Sequence, residues 1–313
     1  MSEQTSDIHV NPHSRFFEGH SALVDKLHAE LNKATGPVPD ELHHYTNAPA
    51  VLQILQQGEL WASNALFLND AYEVEWGLAI YSGIIAGTRN AKGATHSKRV
   101  LDLLDASALH AEMLRQSSVF VCCLSAAESQ LSQWRAYCGR TGSGYSIGLS
   151  TDGLKAMRFG ESPISFRRVL YEREEQSRLV LETVAAFAAY IDFLPGEVWE
   201  RDKPLLNEFF TNWLHSLLIG MKGTAFSEEK EWRLVYRDWD FGKPKYSFRT
   251  SRSGTIVPYC ALQGSEGQLP LTRVIVGPTN HPEIETRSMQ QLLRKCGYAD
   301  IDVQFCDIPF REL

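Results

Sequence analysis

The stretch Phe226-Ser-Glu-Glu-Lys-Glu-Trp-Arg-Leu-Val-Tyr236 constrains the fold more than any other part of the chain. Trp232 to Tyr236 is apolar and β-prone, and two carboxylates, Glu229 and Glu231, stand at its mouth. A strand alternates its side chains, so Glu229, Glu231 and Arg233 are expected on one face and Trp232, Leu234 and Tyr236 on the other. On an extended backbone the two carboxylate residues lie about 6.6 Å apart, two steps of roughly 3.3 Å. Neighbouring like charges raise a carboxylate pKa, and Arg233 opposes that rise. Taken alone, the spacing reads first as a solvated charge run leading into a strand. Only the rest of the chain argues for more.

Elsewhere the hydrophobic pattern predicts short strands in groups, with helices set between the groups. Leu42-His-His-Tyr-Thr46 and Glu59-Leu-Trp-Ala-Ser63 read as strands around a helix over 49–58, which Gly58 stops. Asn69-Asp70 is a turn or cap before a helix from Glu73 to Gly87, and a polar helical region follows to residue 116. Ser118 to Ser125 is an unbroken apolar run and hence a buried strand. Ser129 to Tyr137 is helical, and Gly142-Ser-Gly-Tyr-Ser-Ile-Gly148 turns into another strand. A strand over 167–172 precedes long helices over 173–194 and 198–222. Strands at 246–249, 256–259, 274–277 and 303–306, with a helix near 283–296, complete the chain. Strict alternation is missing, so the class is α+β. Residues 1–38 are polar, with a helical pattern from His20 to Lys33 that stops at Gly36-Pro37, and form an N-terminal extension. Residues 39–313 are expected to form a single domain with a helical insertion around 173–222.

A chain of 313 residues, 43% hydrophobic and 22% charged, is an ordinary globular protein able to bury a large core. Its net charge of -7 argues against a broad nucleic-acid footprint, while leaving room for a local basic groove. The polar start, Met1 to Pro12, carries no signal pattern. Apolar stretches around 76–87 and 183–194 are too short to span a bilayer, so no membrane association is expected. Six cysteines, at 122, 123, 138, 260, 296 and 306, fall in no framework spacing, which makes reduced thiols in a cytoplasmic protein the default.

His43-His-Tyr-Thr46 offers an imidazole as ligand, base or substrate contact. Adjacent strand residues face opposite ways, so only one of the two histidines serves a given site, and a hydrogen-bonded structural role is the commoner fate. No metal is expected: there is no His-Glu-x-x-His or Cys-x-x-Cys, and adjacent Cys122 and Cys123 chelate poorly. Thiols in apolar runs stay protonated, which disfavours a cysteine nucleophile. Gly142-x-Gly144 lacks a third glycine and no Gly-x-x-x-x-Gly-Lys-Ser/Thr run occurs, so dinucleotide-fold and P-loop readings fail. In Ser132-Gln-Trp-Arg-Ala-Tyr137, Trp134 and Tyr137 share a helix face, equally suited to core packing or to stacking on a ligand. Asn69 and Asp70 read as well as a cap, and Arg233 and Arg249 as ion-pair partners.

Taken in order, His44-Tyr45-Thr46, Trp61-Ala-Ser63 with Asn69-Asp70, Ser125 with Trp134 and Tyr137, Gly144-Tyr145, and Phe226 to Arg233 resemble a family of bacterial proteins of unknown function. Val274-Ile-Val-Gly-Pro278 and Asp307-Ile-Pro-Phe-Arg311 look like that family's C-terminal signature, so the resemblance spans residues 41–311. The family in turn resembles, more distantly, the ADP-ribosyltransferase superfamily, which implies split mixed and antiparallel sheets with inserted helices. Members of that superfamily carry a first-strand His or Arg, a central Ser or Tyr element, and a late-strand Glu, often as Gln/Glu-x-Glu. His44 and Glu229-Lys-Glu231 answer to the first and last of these. The central element departs from the pattern, since no clean Ser-Thr-Ser follows a strand.

The resemblance implies NAD as a substrate and an oxocarbenium-like transition state, as in glycoside hydrolysis. Glu231 then stabilises the developing positive charge, Glu229 acts as base or orienter for the acceptor, and His44 donates to the hydroxyls of the adenine-side ribose. The backbone at Tyr45 holds the nicotinamide amide, Trp134 or Tyr137 stacks on the pyridinium, and Ser125 or Ser132 orients the catalytic carboxylate. Thr46, Ser63, Asn69 and Arg233 complete the implied NAD-binding set, and Phe226 and Glu229 belong to the acceptor-selecting loop over 223–229. The expected function is an NAD-dependent ADP-ribosyltransferase of toxin or phage-defence type. It would modify a protein or nucleic acid and have a cognate antitoxin or operon partner. Two alternatives stay open: an NAD glycohydrolase using the same site, and a non-catalytic nucleotide- or partner-binding module on a degenerate fold. A metal-dependent nuclease has carboxylates available but no recognisable ligand spacing.

Overall fold

The computed structural model describes residues 20–68, 73–90, 97–114, 119–138, 144–160, 162–237, 245–251 and 254–308. Asn69, Asp70, Gly142, Phe310 and Arg311 lie outside them. The chain divides into two compact units. One comprises Met1–Gly36, Glu75–Gln116 and Glu172–Ile219; the other comprises Pro37–Val74, Ser117–Tyr171 and Gly220–Leu313. The N-terminal helix and the long helices after residue 172 thus share a unit with the helices after Glu75.

The described part of the first unit is built from helices, among them Ser21–Thr35, Lys98–Leu114, Arg173–Phe193 and Gly196–Leu218. Leu23, Leu27 and Leu31 recur at four-residue spacing and are all buried, the stripe by which an amphipathic helix joins a core. Phe187 of the third of these helices meets Phe210 of the fourth edge-on, with ring centroids 4.7 Å apart. His20, just before the first helix, donates Nε2–H to Asp202 at 3.2 Å and accepts from the Tyr190 hydroxyl at 2.5 Å. Among the described residues no helix is long and apolar enough to cross a membrane.

The second unit carries the strands. They are β1 Glu41–Asn47, β2 Glu59–Asn64, β3 Val119–Ser125, β4 Gly144–Ser150, β5 Arg158–Phe159, β6 Ser162–Pro163, β7 Ser165–Arg168, β8 Glu231–Arg237, β9 Ser247–Thr250, β10 Ile256–Gln263, β11 Leu271–Val276 and β12 Asp302–Phe305. They make a mixed, open sheet in the order β12-β11-β4-β1-β3-β2-β10-β5-β6, with β8 on β3, β7 on β8 and β9 on β10. The β11–β12 pair is parallel, whereas β1, β3 and β8 run antiparallel to their neighbours.

β3 joins the two halves of this sheet. One edge pairs with β8 over its whole length, from Val119↔Arg237 to Ser125↔Glu231. The other edge is shared: β2 meets it at Phe120 and Val121, and β1 meets it at Ser125. β1 and β2 therefore diverge, and the sheet is split beside Cys122–Leu124.

Alternation sorts the two faces. Leu42, Cys122, Leu124, Ile147, Trp232 and Leu234 pack into one large core with Val51, Ile54 and Leu55 of the helix Ala48–Gln57 and Met289 and Leu293 of the helix Pro282–Lys295. On the opposite face Tyr45, Ile275 and Cys306 enclose Trp134 from the helix Leu131–Cys138. Local signals match this packing. Asn47 caps the helix after β1 by accepting from the Ala50 N–H at 3.0 Å. Gly58 ends it in the left-handed region at φ +67°, where an added Cβ would strike the Gly267 carbonyl.

Two expectations shift. The strand expected over 167–172 is Ser165–Arg168. Glu229 does not belong to the late strand: Thr224–Glu229 is a 3-10 helix, Lys230 takes a left-handed φ of 45°, and β8 begins only at Glu231. A left-handed residue interrupts strand geometry, so two-residue alternation cannot extend back across it.

A candidate active site around Glu231

Glu231 opens β8 opposite Ser125, which ends β3. Register puts Ser125, Cys123 and His43 on the same sheet face as Glu231, with Tyr45 two residues further along β1. These residues floor a cavity of about 400 Å³, walled by Ser132, Ala136 and Tyr137 and by Lys222, Phe226 and Glu229. Its size is that of a small-molecule site.

The electrostatics centre on one carboxylate. Glu231 is 4% exposed, and Arg233, 1% exposed, grips both of its oxygens: Nε donates to Oε1 at 2.7 Å and Nη2 to Oε2 at 3.0 Å. Lys222 Nζ lies 3.3 Å from the same Oε2 and 2.7 Å from Glu229 Oε2, so one ammonium bridges the two carboxylates. The left-handed turn at Lys230 thus brings together two acids that a continuous strand would have held in line. Burial alone would lift the Glu231 pKa. Arg233, Lys222 and the Cys123 thiol outweigh it and bring it from 4.5 down to about 2, so the group is ionised at neutral pH.

The backbone around this carboxylate is pinned. The Glu231 N–H donates to the Tyr171 hydroxyl at 2.8 Å, and its carbonyl accepts from the Val169 N–H at 2.9 Å. Ser125 Oγ–H donates to the Glu229 carbonyl at 2.6 Å, and the Ala126 N–H donates to the Lys230 carbonyl at 2.9 Å. The Tyr45 hydroxyl donates to the Ala127 carbonyl at 2.7 Å and accepts from the Gln130 N–H at 3.1 Å, which fixes the loop ahead of the helix Leu131–Cys138. Phe226, 38% exposed, holds its ring centroid 4.7 Å from Lys222 Nζ. The Tyr137 phenol has its pKa raised, by burial first and then by the nearby Cys123, Glu231 and Glu229.

The remaining sequence candidates sort by face. Trp134 is fully buried, donates Nε1–H to Ser129 Oγ at 3.1 Å and meets the Tyr45 ring edge-on at 4.9 Å. Of the Trp134–Tyr137 pair, Tyr137 lines the cavity and Trp134 is core. The Ser132 hydroxyl is buried in the cavity wall, without a hydrogen-bond partner among the described residues. His44 and Thr46 lie on the face of β1 turned away from Glu231, and Thr46 sits across from Tyr145. His44 Nδ1–H donates to the Cys123 carbonyl at 2.9 Å, so a side chain bridges the split where backbone pairing lapses. Burial lowers the His44 pKa more than this bond raises it, which leaves the ring neutral with Nε2 as an acceptor. The histidine that lines the cavity is His43, 3% exposed, with Nδ1 3.3 Å from Ser146 Oγ. Ser63 accepts from Arg249 Nη2 at 2.8 Å, and Asn69 lies outside the described residues.

Sequence reasoning misses Lys222, Cys123 and Tyr171. Lys222 leaves a signal: a lone cation at the end of the apolar run Leu217-Leu-Ile-Gly-Met221, where burial demands an anion. Among the described residues no group of three or more His, Cys, Asp or Glu could hold a metal ion.

No curated protein and no solved structure matches the chain. Residues 133–234, which include Tyr137, Lys222, Glu229, Glu231 and Arg233 but not β1, match a family described as a protein of unknown function (DUF2971).

Proposed function

We propose that this chain is an NAD-dependent ADP-ribosyltransferase with Glu231 as its catalytic carboxylate, modifying a protein or nucleic acid as a toxin or phage-defence effector. The observation that carries this reading is an ionised Glu231 on the floor of a cavity that also presents the Tyr137 ring and a second carboxylate, Glu229. When the bond between nicotinamide and C1′ breaks, its electron pair leaves with nicotinamide and the ribose becomes oxocarbenium-like. A carboxylate held deprotonated at neutral pH suits that developing charge. The acceptor's nucleophile bonds to C1′ and passes its proton to Glu229, which Lys222 keeps beside Glu231. Tyr137 offers its face to the cationic pyridinium. Ser125, through the Glu229 carbonyl, holds the turn between the two carboxylates.

The histidine role changes form. With Nδ1–H committed to the Cys123 carbonyl, His44 Nε2 accepts a ribose hydroxyl hydrogen rather than donating one, and a ligand meets it by extending from the cavity into the split.

One observation favours a second reading. Arg233 occupies both oxygens of Glu231, an arrangement equally suited to a nucleotide-binding module without turnover. The test incubates the purified full chain and Glu231→Gln with radiolabelled NAD and cell lysate. The expected result is nicotinamide release with a labelled macromolecule, both reduced about 10²–10³-fold in the variant. Release without labelling makes the protein an NAD glycohydrolase. Binding without release removes the enzyme readings and leaves the module.

A further inference from the structure

We infer that Arg249 is a phosphate-binding residue extending the Glu231 site across the sheet, and that it takes the pyrophosphate of the nucleotide whose ribose lies at Glu231; this rests on the NAD reading. Arg249 stands on β9 across from Val257, and Tyr259 stands across from Ser63, which in turn faces Val121 of β3. That register sets Arg249, Ser63 and Tyr259 on the sheet face that carries Glu231 and Cys123. Ser63 is two residues along β3, about 7 Å, from the position of Cys123, which lines the cavity.

Among the described residues the arginine is held but not neutralised. It reaches over β10 to donate Nη2–H to Ser63 Oγ at 2.8 Å, and its guanidinium carbon lies 5.9 Å from the Trp61 ring centroid. Trp61 packs on Tyr259 with centroids 5.1 Å apart. Among the described residues Nε is out of solvent with no acceptor, and no carboxylate pairs with Arg249. Other arginines differ: Arg233 is bound by Glu231, Arg273 by Glu41 and Glu128, and Arg201 by Asp202. Arg167 shares the orphaned Nε, yet it sits across from Arg233, a second cation, on β8. A half-buried guanidinium without an anion is costly, and burial lowers the Arg249 pKa accordingly. A planar fork positioned by a hydroxyl and a ring matches the paired oxygens of a phosphate.

The test titrates the full chain with inorganic pyrophosphate at low salt by calorimetry. Wild type is expected to bind, with affinity falling as salt rises. Arg249→Gln should bind at least 10-fold more weakly, and Arg249→Lys, which keeps the charge without the fork, should fall between. Thermal melts that coincide with wild type assign the loss to the site. If Arg249→Gln fails to fold, Arg249→Lys and Ser63→Ala carry the test, each expected to weaken binding. Equal binding by wild type and variants, or no binding by wild type, overturns the inference. NAD turnover separates the two claims. Pyrophosphate binding through Arg249 with no nicotinamide release leaves the phosphate site standing and removes the transferase. Turnover with an unchanged KM in Arg249→Gln does the reverse.

Discussion

Replacing Arg233 with methionine keeps most of the side-chain volume and removes the fork that holds Glu231. Both partners are almost wholly buried, and the bonds lost are those of 2.7 and 3.0 Å. Removing one partner of a buried pair costs about 3–5 kcal/mol, because the other charge stays behind uncompensated. A second route gives a similar figure: the fall of the Glu231 pKa from 4.5 to about 2 corresponds to about 3 kcal/mol. Lys222, which already bridges Glu231 and Glu229, stays 3.3 Å away and offsets part of the loss, so the lower end, about 3 kcal/mol, is expected. For a unit of this size that lowers the melting temperature by about 6–12 °C. The double variant Glu231→Met, Arg233→Met leaves Lys222 paired with Glu229 and should regain stability to within about 1 kcal/mol of wild type. Thermal unfolding followed by circular dichroism measures both. Should Arg233→Met melt with wild type, or the double variant melt below the single one, the argument from buried charge is wrong.

Acid should destabilise the protein in two stages. His20, His43 and His44 have lowered pKa values, chiefly from burial, so the unfolded chain takes up protons near 6.5 before the folded one does. Their share of stability is complete above pH 6.5 and is lost below it, whereas the share from Glu231 is complete above 4.5 and is lost as pH falls towards 2. Urea midpoints across this range should show both falls, and Glu231→Gln should make the second smaller, leaving the part that Glu41, Asp102 and Asp202, whose pKa values are also lowered, contribute. Trp134→Ala should cost about 3–5 kcal/mol, read by chemical denaturation. A cost below about 1 kcal/mol would contradict its place in the core. Burial pushes the Cys122 thiol up to about 12, so a disulfide reagent at pH 8 should label it only in denaturant; rapid labelling of Cys122 itself in the native protein, mapped by peptide mass spectrometry apart from the half-buried Cys123 and Cys296, would refute that burial.

β8 was readable from its residues because alternation is local: Trp232, Leu234 and Tyr236 enter the core, and Glu231 and Arg233 take the other face. The departure of Glu229 from that strand was not, since it depends on the left-handed conformation of one lysine. Alternation separates His43 from His44 but cannot say which faces the carboxylate; the pairing of His43 with Ser125 decides that. Helical spacing put Trp134 and Tyr137 on one side without distinguishing core from cavity. The strand end at Gly277, where an added Cβ would come within 2.8 Å of the Trp134 ring, closes over the tryptophan and leaves the tyrosine at the edge. Lys222 finds its carboxylates only through the turn that follows it.

The unequal edges of β3 also have a mechanical meaning. Backed by β8 from end to end, it acts as the spine of a two-leaved book, and each leaf is stitched to it at one end only. The contacts at the split are the pairings at Ser125 and at Phe120–Val121, together with the His44 bolt, while the rungs between β3 and β8 run the whole length. His43 and Tyr45 ride on one leaf, Ser63 with its bound Arg249 on the other, and Glu231 on the backing. Glu231 stands on the strand that backs both leaves, and the leaves share one core, with Leu42 and Ile147 on one side and Leu60 and Cys260 on the other.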